Sequence, residues 1–398
     1  MSWCGKIIEH KQNTYIPVYK IGEGSFAQVW MVYNVKLKQM LAMKIFNSKE
    51  KKSAQKEYDL YEKFTKMGIR NIIKAYAYFT FTDNIMIVFD LMAGSLYDVI
   101  KYHTFSDDDI NKIAKSSLET LDDLHTNNII HGDVKPENIL IYGQNTIHKE
   151  LLEKLSIKSS NKKISETIKE YMYKYDLSDS SSESSSETDS SETDSSTCGT
   201  DLSSEIDKLS INFSKSSKSS SSSSKSSSSS SKSSSSSSNY KKTLFKNHCL
   251  ILDKYLLNPS TKLSDFGNSI NVTDLNKPPT IHTIYYRSPE ILLGLPYDTK
   301  SDIWALGCTL YEIQSKKILF NPDKSSGDEK RTIIHLMYSV LGPFPEKMID
   351  VSPLKEIFFT NKYLLKGSSY IPFSDNVFFK YMYLLTIDPQ DRPTAKCY

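Results

Sequence analysis

Little cysteine, no long apolar segment and almost no net charge characterise this sequence, and each deficit excludes a class of protein. The five cysteines are scattered without Cys-x-x-Cys or histidine spacing, which argues against a disulfide framework and a zinc site. No apolar run is long enough to span a membrane, the N-terminus lacks an apolar signal region, and Ser2 excludes the myristoylation pattern. A net charge of +3 indicates neither nucleic acid nor a membrane surface as a partner. We therefore expect an intracellular, cytoplasmic protein that binds neither directly.

Composition divides the chain into three regions. Apolar residues at strand-like and helix-like spacing occupy 15–141 and return at 259–398, whereas 142–258 is polar and largely serine. Within the middle region, 151–175 has the spacing of an amphipathic helix, and 176–238 is a low-complexity tract of Ser-Asp/Glu and then Ser-Lys repeats. Such a tract buries too little apolar surface to offset the entropy of ordering, so we expect it to be disordered. One interpretation is a passive spacer. The other is regulatory: the Ser-Asp/Glu half would be a substrate for an acidophilic kinase, and the Ser-Lys half would be an autophosphorylation tract or a localisation signal.

A glycine-rich segment follows the first strand-like run. Gly22 and Gly24 permit close approach of the backbone to a phosphate, and Ser25 and Val29 belong to the same loop and the strand after it. A turn between two strands also uses this pattern, so the pattern alone is weak. Because no helix follows, the segment is neither a dinucleotide-binding turn nor a P-loop.

A lysine at the end of the next apolar run, Lys44 after Ala42, needs a carboxylate partner if it points inward. Glu57 shares a face of the following helix with apolar residues, whereas Glu62 projects from the opposite side. We therefore predict that Lys44 pairs with Glu57. The alternative, two solvated surface charges, is disfavoured because both residues lie on apolar faces.

Asn84 to Phe89 has the composition of a buried strand, and an extended connector follows it. The backbone of Asp90 and Met92 in that connector suits the edge of an adenine, with Phe89 at the back of the pocket.

The strongest single signal is the run His-Gly-Asp-Val-Lys-Pro-Glu-Asn that starts at His131. An Asp and an Asn five apart on a fixed loop can divide two tasks: Asp133 can accept a hydroxyl proton, and Asn138 can bind Mg²⁺. Lys135 can neutralise charge on a phosphoryl group in transfer. Asp265, in Asp-Phe-Gly, supplies a second ligand for a metal that bridges phosphates.

Three further residues receive structural interpretations. His131 is predicted to pack near Phe266, not to act as a base or a metal ligand. Glu290 needs a buried cation, and Arg392 is the natural candidate.

Together these motifs resemble those of eukaryotic-type Ser/Thr protein kinases, and most closely the SR-protein kinases within the wider group of cyclin-dependent, MAP and dual-specificity kinases. The segment 22–30 (Gly-Glu-Gly-Ser-Phe-Ala-Gln-Val-Trp) lacks the third glycine, as that family does, and the motif 131–133 lacks the usual arginine. The segment 265–269 resembles the family's Asp-Leu-Gly-Asn-Ala, and a long spacer interrupts the family at the same place as 142–258. Phe266 and Pro289 depart from it, because the family has Leu at both positions.

The resemblance implies an α+β bilobal protein kinase fold. A small β-rich N-lobe would span 15–92, a larger helical C-lobe would span 93–141 and 259–398, and a disordered Ser-rich insert would occupy 142–258. It implies a monomer that transfers phosphate from ATP, with Mg²⁺, to Ser or Thr of protein substrates. Its implied catalytic residues are Asp133 and Lys135, and its metal ligands are Asn138 and Asp265. Its implied nucleotide-binding residues are Gly22, Gly24, Ser25, Val29, Ala42, Lys44, Glu57, Phe89, Asp90 and Met92.

Several alternatives stay open. We expect basic-Ser substrates of the SR type from the resemblance. The acidic docking groove that would hold them is not evident in the sequence, because 323–331 mixes both charges. The alternative function is that of a pseudokinase scaffold, which acts through the fold and the insert. Against it, the sequence has the five residues that kinase activity requires: Lys44, Glu57, Asp133, Asn138 and Asp265. Gly132 in place of arginine predicts an enzyme that is active as made. The excess of Asn, Lys, Ile and Tyr suggests an A+T-rich genome such as that of a large DNA virus, for which the host cell, its nucleus included, or the virion would be the location.

Overall fold

The structure is a computed structural model that describes residues 3–24, 27–101, 103–142, 146–174, 261–274, 278, 280–322, 327–367 and 380–397. Ser25 and the predicted low-complexity tract 176–238 therefore lie outside the described residues.

A six-stranded antiparallel sheet forms the smaller lobe. Its strand order is β1-β2-β3-β4-β6-β5, so most neighbours in the sheet are also neighbours in sequence. The sheet begins before residue 15, because Ile8 is buried and pairs with Tyr15. The strands are β1 (Ile8–His10), β2 (Asn13–Glu23), β3 (Ala27–Asn34), β4 (Gln39–Phe46), β5 (Ala75–Phe81) and β6 (Asn84–Asp90).

One long helix, α1 (Lys51–Lys66), packs against this sheet. Its buried residues recur every three or four positions, as one face of a helix requires: Ala54, Glu57, Tyr61 and Phe64. A carboxylate on this apolar stripe must find a cation.

Helices dominate the larger lobe. The capping box of Ser106 and Asp109 starts the helix α3 (Asp107–Thr126). The helix α7 (Lys300–Ser315) is buried through most of its length. Among the described residues, no helix combines the length and apolar character that a membrane span needs. The helices that follow α1 are α2 (Leu96–Val99), α3 (Asp107–Thr126), α4 (Thr146–Ser156), α5 (Asn161–Lys174), α6 (Pro289–Leu292), α7 (Lys300–Ser315), α8 (Glu329–Leu341), α9 (Glu346–Asp350) and α10 (Lys355–Phe358).

Two small ribbons bring distant parts of the chain together at the lobe boundary. β7 (Gly94–Ser95), β9 (Ile139–Ile141) and β10 (Thr261–Leu263) form one, and β8 (Ile129–Ile130) pairs with β11 (Ile270–Asn271) in the other. β9 begins directly after Asn138 and pairs antiparallel with β10, which ends two residues before Asp265. The two predicted metal ligands therefore approach each other across the insert.

The first part of the insert forms a helical hairpin on the smaller lobe. α4 and α5 replace the single helix predicted for 151–175, because the Ser160 hydroxyl accepts the Lys163 N–H (3.3 Å) and starts a new helix. Ile157, in the connection, is 78% exposed. Apolar side chains of the hairpin and of β2 and β3 form one buried cluster: Ile16, Val18, Met31, Tyr33, Leu151, Leu155, Ile164, Ile168, Tyr171 and Met172.

We predict that Ile168→Ala lowers the free energy of unfolding by about 2–5 kcal/mol, because it removes fully buried methyl groups and leaves a cavity against β2. Ile157→Ala is the matched control and should change the free energy by less than about 0.5 kcal/mol. Urea unfolding followed by tryptophan fluorescence measures both. Equal losses in the two variants would show that the hairpin does not pack as described.

Candidate active site

The two predicted phosphate-binding glycines lie at the turn between β2 and β3. Gly22 pairs with Val29, and the Gly24 N–H donates to the Ala27 carbonyl (2.9 Å). A methyl group added to either glycine would meet only ordinary contacts at about 3.8 Å. Among the described residues, none therefore demands glycine at these two positions, which fits a loop whose outer side approaches a ligand.

Lys44 and Glu57 form an ion pair below this loop. The Lys44 Nζ lies 2.7 Å from Glu57 Oε2 and 2.9 Å from Oε1, and Glu57 is buried. Burial raises the pKa of Glu57, and the nearby Asp265 charge also raises it, whereas Lys44 opposes the shift. Glu62 is exposed and instead accepts a hydrogen bond from the Tyr58 hydroxyl (2.9 Å).

The predicted adenine pocket lies between β3, β4 and the end of β6. Ala42 pairs with Phe89 across the sheet, and both side chains are buried, as is Met92. The Asp90 carboxylate is held by the Tyr76 hydroxyl (2.5 Å) and by Lys262 (3.2 Å). Because the side chain of Asp90 is already bound to these two partners, the backbone of Asp90 is the part that can form hydrogen bonds with a nucleotide.

The catalytic-loop carboxylate, Asp133, has fixed partners on both oxygens. Oδ1 accepts the hydroxyl of Thr283 (2.9 Å), and Oδ2 accepts Lys135 (2.8 Å) and the Asn138 amide (3.1 Å). Burial would raise the pKa of Asp133, but the hydrogen bond and charge of Lys135 and the Thr283 bond hold it below its ordinary value. Asp133 is therefore an ionised acceptor at neutral pH.

Asn138 and Asp265, the two predicted metal ligands, lie at the same end of the β9–β10 ribbon, where the Ser264 N–H donates to the Asn138 carbonyl (2.9 Å). The Asn138 amide nitrogen donates to the Asp133 carbonyl (2.8 Å), which directs the other end of the amide away from it. Asp265 adopts a left-handed backbone (φ 60°), which costs on the order of 1–3 kcal/mol, and its N–H donates to the Tyr61 hydroxyl (3.0 Å).

One carboxylate and one amide oxygen suit Mg²⁺, which takes few protein ligands and completes its shell with phosphates and water. Among the described residues, no group of three or more acidic, histidine or cysteine side chains could enclose a metal. The donor set therefore fits a metal that arrives with a nucleotide.

His131 is structural, as predicted. Its ring lies edge-on to Phe266 (5.0 Å between centroids), and Phe266 also contacts Tyr61 and Phe64 of α1. Nε2 donates to the Ser264 carbonyl (3.1 Å), and Nδ1 accepts the Asp133 N–H (3.2 Å). Burial lowers the pKa of His131, so the ring is neutral and both nitrogens are occupied.

Sequence reasoning missed a buried carboxylate in the first turn of α7. Asp302 is fully buried and accepts the backbone N–H groups of His131 (2.8 Å) and Gly132 (3.0 Å). It also accepts Nε2 of His125 (2.9 Å) and of His282 (3.0 Å). The available signal was an aspartate within a helix that is otherwise apolar on nearly all sides. Thr283, which contacts Asp133, was missed too.

The predicted pair of Glu290 and Arg392 is confirmed. The guanidinium bonds both carboxylate oxygens (2.8 and 2.9 Å), and both side chains are buried. Arg392 also donates to the carbonyls of Thr386, Ile387 and Lys300. We define the activation segment as 265–290. The Glu290–Arg392 pair connects the end of this segment to the C-terminal part of the larger lobe.

Comparison with known families agrees with this geometry. The protein kinase domain matches residues 15–158 and 245–398, and the chain therefore belongs to that family. Its similarity to the wider kinase group inferred from the motifs, dual-specificity kinases included, is confirmed by the individual relatives.

Three relatives illustrate the similarity. Dual specificity tyrosine-phosphorylation-regulated kinase 3 of Mus musculus is 26% identical over 363 residues, which cover 89% of this chain and 42% of the relative. A serine/threonine-protein kinase of Acanthamoeba polyphaga mimivirus is 26% identical over 372 residues, which cover 78% and 68% of the two chains. Serine/threonine-protein kinase AFC1 of Arabidopsis thaliana is 25% identical over 349 residues, which cover 85% and 55%. The chain thus spans less than half the length of the mouse relative.

We predict that Arg392→Ala lowers the free energy of unfolding by about 3–5 kcal/mol, because it leaves Glu290 buried without a counter-ion. Arg331→Ala is the matched control. The Arg331 Nε lies 3.3 Å from Asp328 Oδ2, and both side chains are exposed. Loss of this ion pair should lower the free energy of unfolding by about 1 kcal/mol or less. Chemical denaturation compares the two, and similar losses would contradict a buried role for the Glu290–Arg392 pair.

Proposed function

We propose that this protein transfers the γ-phosphoryl group of ATP to serine or threonine hydroxyls of other proteins. The observation that carries the proposal is the Asp133 carboxylate, ionised and fixed between Lys135 and Thr283. Such a group can accept the proton of a substrate hydroxyl as the new O–P bond forms. Lys135, 2.8 Å away, offsets negative charge at the same place.

The remaining residues supply positioning. The Lys44–Glu57 pair places an ammonium group below the glycine turn, where it can bind nucleotide phosphates. Gly22, Gly24, Val29 and Ala42, and the backbone from Phe89 to Met92, surround the space for the nucleotide, and Ser25 belongs to the same loop in sequence.

Asn138 and Asp265 are the residues that would hold Mg²⁺. The bound ion would neutralise phosphate charge during transfer. Asp265 is kept in place by the Tyr61 hydroxyl and by the packing of Phe266, so its ligand position is set before a nucleotide binds.

A cleft of about 350 Å³ between the catalytic loop and the activation segment offers room for the substrate. Asp133 is the acidic side chain among the described residues that line it, so this cleft supplies little to attract a basic peptide. Basic-Ser substrates of the SR type would need acidic groups elsewhere, and they stay one arm of the test below. Phosphorylation of the Ser-Asp/Glu part of the insert by an acidophilic kinase, a monomeric state and an intracellular location belong to the same proposal.

A pseudokinase scaffold is the alternative function. It would also show the protein kinase fold and could bind ATP, but it would not turn ATP over. The formed Lys44–Glu57 pair and the ionised Asp133 favour the enzyme.

We predict that Glu57→Gln lowers kcat/KM for ATP by roughly tenfold or more, because a neutral amide cannot fix the Lys44 ammonium group. Glu62→Gln, on the exposed side of the same helix, is the matched control and should leave kcat/KM unchanged. Steady-state phosphorylation assays measure both. A loss of similar size in the two variants would remove Glu57 from its assigned role.

The direct test is phosphate transfer from ATP by the purified full chain to three peptides: an Arg-Ser repeat, a Ser-Pro peptide and an acidic Ser peptide. We expect transfer to at least one, and we expect Asp133→Asn to abolish it while nucleotide binding persists. The peptide that is used defines the substrate class. ATP binding without transfer to any peptide or to the insert would support the scaffold instead.

A further inference from the structure

The histidine in front of Thr283 has no role in the chemistry described above, yet it is buried beneath the catalytic loop. We propose that His282 is a positioning residue that holds the activation segment in its catalytic arrangement without a phosphate. The proposal rests on the proposed function and adds to it a means by which the enzyme is active as made.

Both polar groups of the His282 backbone are hydrogen-bonded, one to the catalytic loop and one within the activation segment. Its N–H donates to the Gly132 carbonyl (2.7 Å), which ties the activation segment to the catalytic loop. Its carbonyl accepts Nη2 of Arg287 (2.8 Å), and the same guanidinium donates Nε to the Ile281 carbonyl (3.1 Å). Arg287 therefore stabilises two successive carbonyls of this segment.

The side chain adds a bond to the centre of the lobe. Nε2 of His282 lies 3.0 Å from Asp302 Oδ1, the same oxygen that accepts the Gly132 N–H. Burial would raise the pKa of Asp302, but the bonds from His125 and His282 hold it far below its ordinary value, so Asp302 is ionised and can only accept. Nε2 of His282 must therefore carry the hydrogen. Its Nδ1 is buried without a partner among the described residues, which leaves the bond to Asp302 as the polar contact of this ring.

The position before Asp133 explains why an anchor of this kind is needed. Gly132 has φ 80°, and a Cβ there would lie 2.8 Å from the Asn268 carbonyl. A larger residue, arginine included, would displace the start of the activation segment. The catalytic loop therefore offers no cation at Gly132 to bind a phosphorylated activation segment, and His282 connects the segment to the same region through its hydrogen bond to Asp302.

The consequence for catalysis passes through the adjacent residue. Thr283 donates its N–H (3.2 Å) and its hydroxyl (2.9 Å) to Asp133 and accepts Lys135 (3.0 Å). Because His282 and Thr283 are consecutive, a displaced His282 would move Thr283 away from both catalytic side chains. ATP binding depends on other elements and should not change.

The test compares three variants of the full chain after treatment with a non-specific phosphatase, with mass spectrometry to verify the loss of phosphate. We expect the dephosphorylated wild type to keep its kcat. His282→Ala should lower kcat by about tenfold or more at an unchanged Kd for ATP. His282→Gln, whose amide can donate to Asp302 from nearly the same place, should restore most of kcat. His335→Ala is the matched control, because it removes a half-buried imidazole of α8 that is not among the partners of Asp302; it should keep kcat.

Hydrogen exchange provides a readout that does not need activity. The amides of 280–283 should exchange faster in His282→Ala than in His335→Ala and the wild type. Unchanged exchange and unchanged kcat in His282→Ala would overturn the proposal, as would a glutamine variant no better than alanine. Loss of kcat on dephosphorylation of the wild type would show that a phosphate is the anchor. If the wild type itself transfers no phosphate, the proposed function fails, and the exchange rates still decide the role of His282.

Discussion

The arrangement of the active site depends on one buried carboxylate, Asp302. Its two oxygens accept donors from α3, from the catalytic loop that follows α3 and from the activation segment, so all three converge on a single residue of α7. A buried charge costs several kcal/mol unless its hydrogen bonds are complete. A rearrangement of the catalytic loop would remove two of these donors, the N–H groups of His131 and Gly132, so the buried charge stabilises the conformation described.

Close to this centre, aromatic packing joins α1 of the smaller lobe to the catalytic loop and to the start of the activation segment. Phe266 contacts His131 of the catalytic loop and Tyr61 and Phe64 of α1. The Tyr61 hydroxyl in turn holds the Asp265 backbone, and Glu57, one turn earlier on α1, holds Lys44. A shift of α1 would thus disturb Lys44 and Asp265 together.

Much of the site could be predicted from the sequence because its motifs are short and local. Asp133, Lys135 and Asn138 share one loop, and the choice of Glu57 over Glu62 followed from the geometry of a helix face. His282 could not be predicted in this way, because its partner Asp302 lies in another element and no periodicity relates the two. The packing of the insert hairpin on β2 and β3 could not be predicted for a similar reason. An amphipathic pattern shows that one face of a helix is covered but not which surface covers it.

The hairpin also bears on the order in which the protein can fold. Met31 and Tyr33 lie on the same face of β3 as Val29, and the surface that covers them includes Ile168 of α5. A ribosome adds about 5–20 residues per second, and about 135 residues separate Tyr33 from Ile168, so these strands are synthesised well before the helix that covers them. During that interval the sheet carries an exposed apolar surface next to the nucleotide site. The smaller lobe is thus first in the sequence but is not complete until part of the larger lobe has been made.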